Sequence, residues 1–423
     1  MKKKILSLLL VGLLVFSFTA CGQTETSNEI TTDGKTETAT NEGGEKNIDG
    51  MTFNEMLEAA KGTKVSFYGW GGNEKLNKWL DEVYAKSLKE KYDITLDRVP
   101  MDIDQILSQL SGEVQAGVDG PIDMIWINGE NFKSCKENNM LYGPFTERLP
   151  NFEKYIDPES DDIKLDFGYP VEGYEAPYSK AQVVFVVDGA KVSERPKNAA
   201  EFLEFAKKYK GKVAYPALPD FTGSVFVRNI INETCDYSKL MNPDLTKEEV
   251  REIIKPAIDY LVELNPYLWG EGKTFPVSGP DKMNMFSDGE LVFDFTYESY
   301  GPVQSIADGT YPETVETFIF DKGTIGNTNF IAIAKNSTNK AGAMVAINEM
   351  LTPKMQASKL QELKLLPVLD NDKLSDEEKK LFELDLGKAA IPQDELLSKR
   401  LPELPAGLVP IIEEIWAEDV VGK

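Results

Sequence analysis

Histidine is absent from all 423 residues. Without an imidazole, Ser-His-Asp triads, Cys-His nucleophiles and His-bearing zinc sites are excluded by composition. Basic residues are scarce beside acidic ones, 46 against 70, which leaves a formal net charge of -24. Such a surface repels phosphates and argues against a nucleic-acid partner. Cysteine is nearly missing too: Cys21, Cys135 and Cys235 are all there is. Cys135 and Cys235 form an even pair that an exported protein could bridge, but they lie far apart in sequence, so buried single thiols are expected. The apolar run from Ile5 to Phe18 is shorter than the roughly 20 residues needed to span hydrocarbon.

That short run has its own meaning. Lys2, Lys3 and Lys4 precede it, and Phe18-Thr19-Ala20-Cys21 follows; a basic start, an apolar middle and small residues before a cut describe a secretion signal over residues 1–20. A Cys directly after the small residue resembles the bacterial lipobox, which implies lipidation of Cys21 and a membrane anchor on the outer side of the cell membrane. Residues 21–50 continue with Thr, Glu, Asn and Gly and little to bury, the composition of a disordered tether. At roughly 5–6 Å × √n it would hold the body about 30 Å from its anchor.

The remainder is 41% hydrophobic and 27% charged over the whole chain, a globular balance, and it is too long for one ordinary core. Val65 to Trp70, Ile94 to Val99 and Ile122 to Ile127 read as strands. Between them, Leu76, Trp79, Leu80, Val83, Tyr84 and Leu88, then Ile103, Ile106, Leu107, Leu110 and Val114, recur at helical spacing. This β-α-β-α-β order predicts a parallel sheet covered on both faces. The alternation restarts with strands at Gln182 to Val187, Lys212 to Tyr215, Glu290 to Tyr297 and Thr328 to Ala334, which predicts a second half of α/β class.

Taken in order, "FYGWGGNEKLNKWL", "IDMIWINGENF", "PDFTGSVFV", "GELVFDFTYE" and "NFIAIAKNSTNKAGAMVAIN" resemble the bacterial extracellular solute-binding proteins that serve ABC importers, and among them the YnjB-like branch. The resemblance runs from about Lys64 to the last helices. It implies an α/β, periplasmic-binding-protein-like type II fold with two lobes and crossing hinge strands. On that pattern, residues 51–181 and 321–375 form lobe 1, and 182–320 and 376–423 form lobe 2. It further implies a monomer that takes a small-molecule ligand in the interlobe cleft and docks on ABC permease subunits, with no cofactor, no metal and no catalytic residue.

Strand ends carry the candidate ligand residues, because open α/β sheets bind ligands at the carboxyl ends of their strands. Asn128 and Asn329 offer amides, whose burial without a partner costs about 1–3 kcal/mol. Gly71 and Gly72, and the Asp220-Phe221-Thr222 turn, precede helices whose N-termini suit an anion. Trp70, Trp126, Tyr178, Phe221 and Tyr297 provide stacking faces. Glu130 and Asp294, with Glu298 beyond them, place carboxylates at the same edges. The carboxylates and aromatics favour a cationic or polyhydroxylated solute, whereas the helix N-termini favour an anion; at this level the sign of the ligand stays open. Among solutes, a cationic or aromatic organic molecule leads and a carbohydrate follows. A glycoside hydrolase using carboxylates is the enzymatic alternative, but Asp294 and Glu298, four residues apart on a strand, would be separated by roughly 13 Å. A surface adhesin explains the tether but not the amide-rich strand ends.

Overall fold

The computed structural model describes residues 48–387 and 389–423. The signal segment, Cys21 and the tether up to residue 47 lie outside the described residues. Ile48–Gly50, expected at the end of the tether, instead forms a 3-10 turn. Arg148 donates to the carbonyls of Ile48 and Met51, and the Tyr142 hydroxyl donates to Asp49, which fastens this turn to the body.

The first sheet contains β1 (Lys64–Gly69), β2 (Thr95–Pro100) and β3 (Met124–Ile127). β1 pairs in parallel with both β2 and β3, as the β-α-β-α-β pattern requires. Alternate residues serve opposite faces. Val65, Phe67 and Met124 enter one buried cluster with Trp79, Tyr84 and Ile347, while Tyr68, Ile125 and Ile127 enter another with Ile106, Leu110 and Phe132. Helices on both sides give each face of this sheet a core.

Two long strands leave that sheet. β4 (Glu175–Gln182) runs directly into β5 (Val184–Asp188), and the returning strand, here β8 (Thr324–Ala334), lies antiparallel to β4 along most of its length. Between β5 and β8 come β6 (Phe293–Thr296) and β7 (Val315–Phe318), which flank β5 as an antiparallel three-stranded sheet. A second core forms there, in which Phe185 lies 4.5 Å from Phe320, 5.4 Å from Phe318 and 5.7 Å from Phe293 between ring centroids. Ile412, Ile415 and Trp416 of the helix Val409–Asp419 join it.

β4 and β8 contribute to both cores. Ala176, Tyr178, Ile331 and Ile333 belong to the first, whereas Ala181 and Ile325 belong to the second. The molecule therefore has the two-lobe α/β architecture with strands that cross between lobes. The ladder shifts register between Asn329 and Phe330, a bulge that bends the strand and increases its local twist.

Lys212 to Tyr215, expected as a strand, is unladdered, with Val213, Ala214 and Tyr215 buried and Lys212 exposed. Its carbonyls accept single bonds from Val292 and Trp269, so it is anchored at two points without becoming a sheet member. Cys135 and Cys235 are free thiols, and burial pushes the Cys135 thiol up to about 12. Truncating Phe185 to Ala removes the ring shared by three aromatic neighbours of the second core. We expect it to cost about 3–5 kcal/mol, measured by urea unfolding.

Candidate functional site

Trp70 just past β1, Trp126 near the carboxyl end of β3 and Tyr178 within β4 come together. With Phe67, Leu76 and Arg98 they line a small aromatic pocket. Trp126 and Tyr178 have centroids 6.4 Å apart with their planes tilted by 54°. Trp70 is 45% exposed, an uncommon position for an indole that is not core. The glycines after it have steric roles. A Cβ on Gly72 would stand 2.1 Å from the Trp70 ring, and one on Gly71 would stand 2.4 Å from Pro100 Cβ. Only glycine lets the indole lie across the turn.

Tyr178 is the polar element of this pocket. Its hydroxyl is buried and has no hydrogen-bond partner among the described residues. The Lys359 amine sits 3.8 Å from the Tyr178 ring centroid and donates to the Tyr178 carbonyl. Burial pulls the Lys359 amine well below the ordinary lysine range. Arg98, the cation of the pocket wall, is held by both oxygens of Asp81 at 2.9 and 2.7 Å.

A second aromatic group lies around the other half. Phe221 is 5.3 Å from Tyr297 and 6.4 Å from Phe167. The Tyr297 hydroxyl donates to Glu403 at 2.7 Å, and Glu403 receives Arg228 through both oxygens at 2.8 and 2.9 Å. Phe167 covers the Arg228 guanidinium from 5.6 Å. Arg228 also donates to Ser224, which donates to Glu413. Glu130 faces this network: burial raises its carboxyl, and Arg228 opposes the rise. Tyr297 is therefore tied into a buried ion-pair network, while Phe221, 41% exposed, keeps a free face.

Several expected ligand groups are already engaged inside the protein. Asp294 is buried, accepts from Lys282 and Tyr311, and has no share in the cleft surface. Asp220 caps the helix Phe221–Thr234, with Oδ1 accepting from the N–H groups of Thr222 and Gly223 at 2.9 and 3.0 Å and Oδ2 from Gly279 at 3.3 Å. Asn128 and Asn329 bond to each other, and Asn329 continues to Ser179. These amides serve the crossing strands first.

The expected attraction for anions is changed by the same bonds. Asn73 fills the N-terminus of the helix Glu74–Trp79 by accepting from Lys75 and Leu76. Asp220 fills that of Phe221–Thr234, and Asp166 accepts from Gly129 at the start of Gly129–Glu137. Burial pushes the Asp166 carboxyl well above the usual range, with the Gly129 N–H opposing. All three N-termini thus carry their own oxygen acceptors.

Sequence reasoning missed Glu403, Glu413, Asp166 and Phe167. Arg228 was the available signal, a single guanidinium within the apolar stretch from Val225 to Ile231, which demanded a buried acid. The two halves also meet through an ion pair of Lys75 with Asp308.

Comparison with known proteins gives the family and the fold. The family described as bacterial extracellular solute-binding protein matches residues 83–383. Protein YnjB of Escherichia coli (strain K12) is 35% identical over 372 residues, covering 86% of this chain and 92% of its own. An ABC transporter structure from Clostridium perfringens ATCC 13124 superposes with a TM-score of 0.59 at 20% identity, covering 84% of this chain and 98% of that one. The periplasmic binding protein AfuA from Actinobacillus pleuropneumoniae, with fructose-6-phosphate bound, gives 0.59 at 14% identity, covering 85% and 99%.

Because Asp294 neutralises a buried ammonium, Asp294→Ala should destabilise the protein by about 3–5 kcal/mol, measured by chemical denaturation. Wild-type stability in that variant would return Asp294 to the list of ligand candidates.

Proposed function

The chain belongs to the bacterial extracellular solute-binding proteins of ABC transporters, and from that premise we propose that it captures a small polar solute between its lobes and delivers it to the permease of an importer. It is not an enzyme: the family's members are the solute-binding components of their transporters. Lobe 1 comprises residues 51–181 and 321–375, and lobe 2 comprises 182–320 and 376–423. The supporting observation is the aromatic pocket of Trp70, Trp126 and Tyr178 at the ends of β1 and β3. Tyr178 brings the crossing strand β4 into its wall.

Closure follows from that position. A solute touching strand ends of both lobes is bound fully only when they approach, so binding and closure are one equilibrium. The permease then reads the closed shape. The leading solute class is a cationic or aromatic organic molecule, with a carbohydrate second. Lipidation of Cys21 would keep the monomer at the outer face of the cell membrane, and the acidic surface would keep encounters with the permease transient.

A solute present at 100 times its Kd should stabilise the folded protein by about 2.7 kcal/mol, detected as a rise in Tm. In Trp126→Ala that rise should disappear while the ligand-free protein still melts cooperatively. A variant that fails to fold would reassign Trp126 to the core. Replacing Cys21 with Ala should shift the protein from the membrane fraction to the medium in a host that processes lipoproteins.

A further inference from the structure

A second cavity shares no wall residue with the aromatic pocket. Its volume is about 300 Å³, and Leu360, Phe382, Leu384, Leu386 and Ile391 form most of its wall, with Tyr300 beside them. These residues come from distant parts of the chain. Leu360 stands on the helical turn Lys359–Leu363, whose Leu363 belongs to the first core, whereas Tyr300 follows β6 of the second sheet. Tyr300, Leu360 and Ile391 share one apolar cluster with Val184, at the point where β4 runs into β5.

Among the described residues no charged side chain lines this cavity, and two polar ones do. Gln393 is exposed and has solvent for a partner. Tyr300 is 1% exposed, and its hydroxyl is buried with no hydrogen-bond partner among the described residues. A hydroxyl left in that state is costly. Water is a poor remedy, because a buried water needs about three polar partners and the neighbouring side chains, Leu360 and Ile391, offer none. The volume sets the size of a better partner. An apolar cavity of about 150 Å³ stays dry and takes benzene, so this one has room for about two rings.

We infer that the cavity is a second binding site, for an uncharged and largely apolar molecule of about two-ring size that accepts one hydrogen bond from the Tyr300 hydroxyl. A bicyclic aryl ketone has that chemistry. A charged ligand would be desolvated without a counter-ion, and a sugar would strand most of its hydroxyls. The site is separate from solute capture between the lobes.

The test is thermal shift and calorimetry on the full chain with a matched pair, α-tetralone and tetralin, which differ by one carbonyl. Both should raise Tm, and the ketone should bind about fivefold tighter, the worth of one hydrogen bond. Tyr300→Phe should erase that preference while keeping tetralin binding. Without ligand, Tyr300→Phe should melt no lower than wild type, because it removes a buried hydroxyl that has no partner. Ala390→Phe, which adds a ring at the smallest side chain of the wall, should abolish binding of both compounds. Failure of both to bind wild type would overturn the inference and leave solute capture standing. So would equal affinity for the two, a preference that survives Tyr300→Phe, a Tyr300→Phe protein that melts lower, or binding that survives in a folded Ala390→Phe. If Ala390→Phe does not fold, the Tyr300→Phe comparison decides alone.

Discussion

The antiparallel ladder between β4 and β8 is the constraint from which the rest follows. Each strand must satisfy two cores at once, so apolar residues gather toward both ends, at Ala176 and Tyr178 on one side and Ala181 and Ile325 on the other. Between them the pair carries Ser179, Lys180, Asn327, Thr328 and Asn329. Both amide atoms of Asn327 and the Thr328 hydroxyl are buried without partners among the described residues. Such groups are rarely left so in a protein interior, and here they fall between the stretches that serve the two cores. The ends of the strands carry the apolar packing and the middle carries the polar groups.

Electrostatics divides along the same line. Away from the crossing, buried charges are neutralised within a lobe, as in Arg228 with Glu403 and Lys282 with Asp294. Close to it, the helix N-termini already hold oxygen acceptors from Asn73, Asp220 and Asp166. A phosphate or carboxylate would have to displace them. The protein with bound fructose-6-phosphate shares this fold at 14% identity, and a shared fold does not by itself fix the ligand.

Much of the first lobe was legible because its strands are apolar, short and separated by residues at helical spacing; β1, β2 and β3 fall within two residues of where they were read. The crossing strand β4 was not. "EAPYSKAQ" has neither alternation nor an apolar run, and it is a strand because β8 pairs with it, a tertiary fact. Trp70 and Trp126 were legible from strand-end position, since both sit where a parallel strand stops. Asp220 and Asp294 misled for opposite reasons. A carboxylate before a helix reads equally as ligand or cap, and the partner of Asp294 lies on the helix Gly279–Ser287, which local pattern cannot pair with a strand.

The clamp on Ile48–Gly50 has a mechanical corollary. Arg148 and Tyr142 fasten this turn to the first lobe, so a pull applied at the turn is borne by the first lobe through these two side chains.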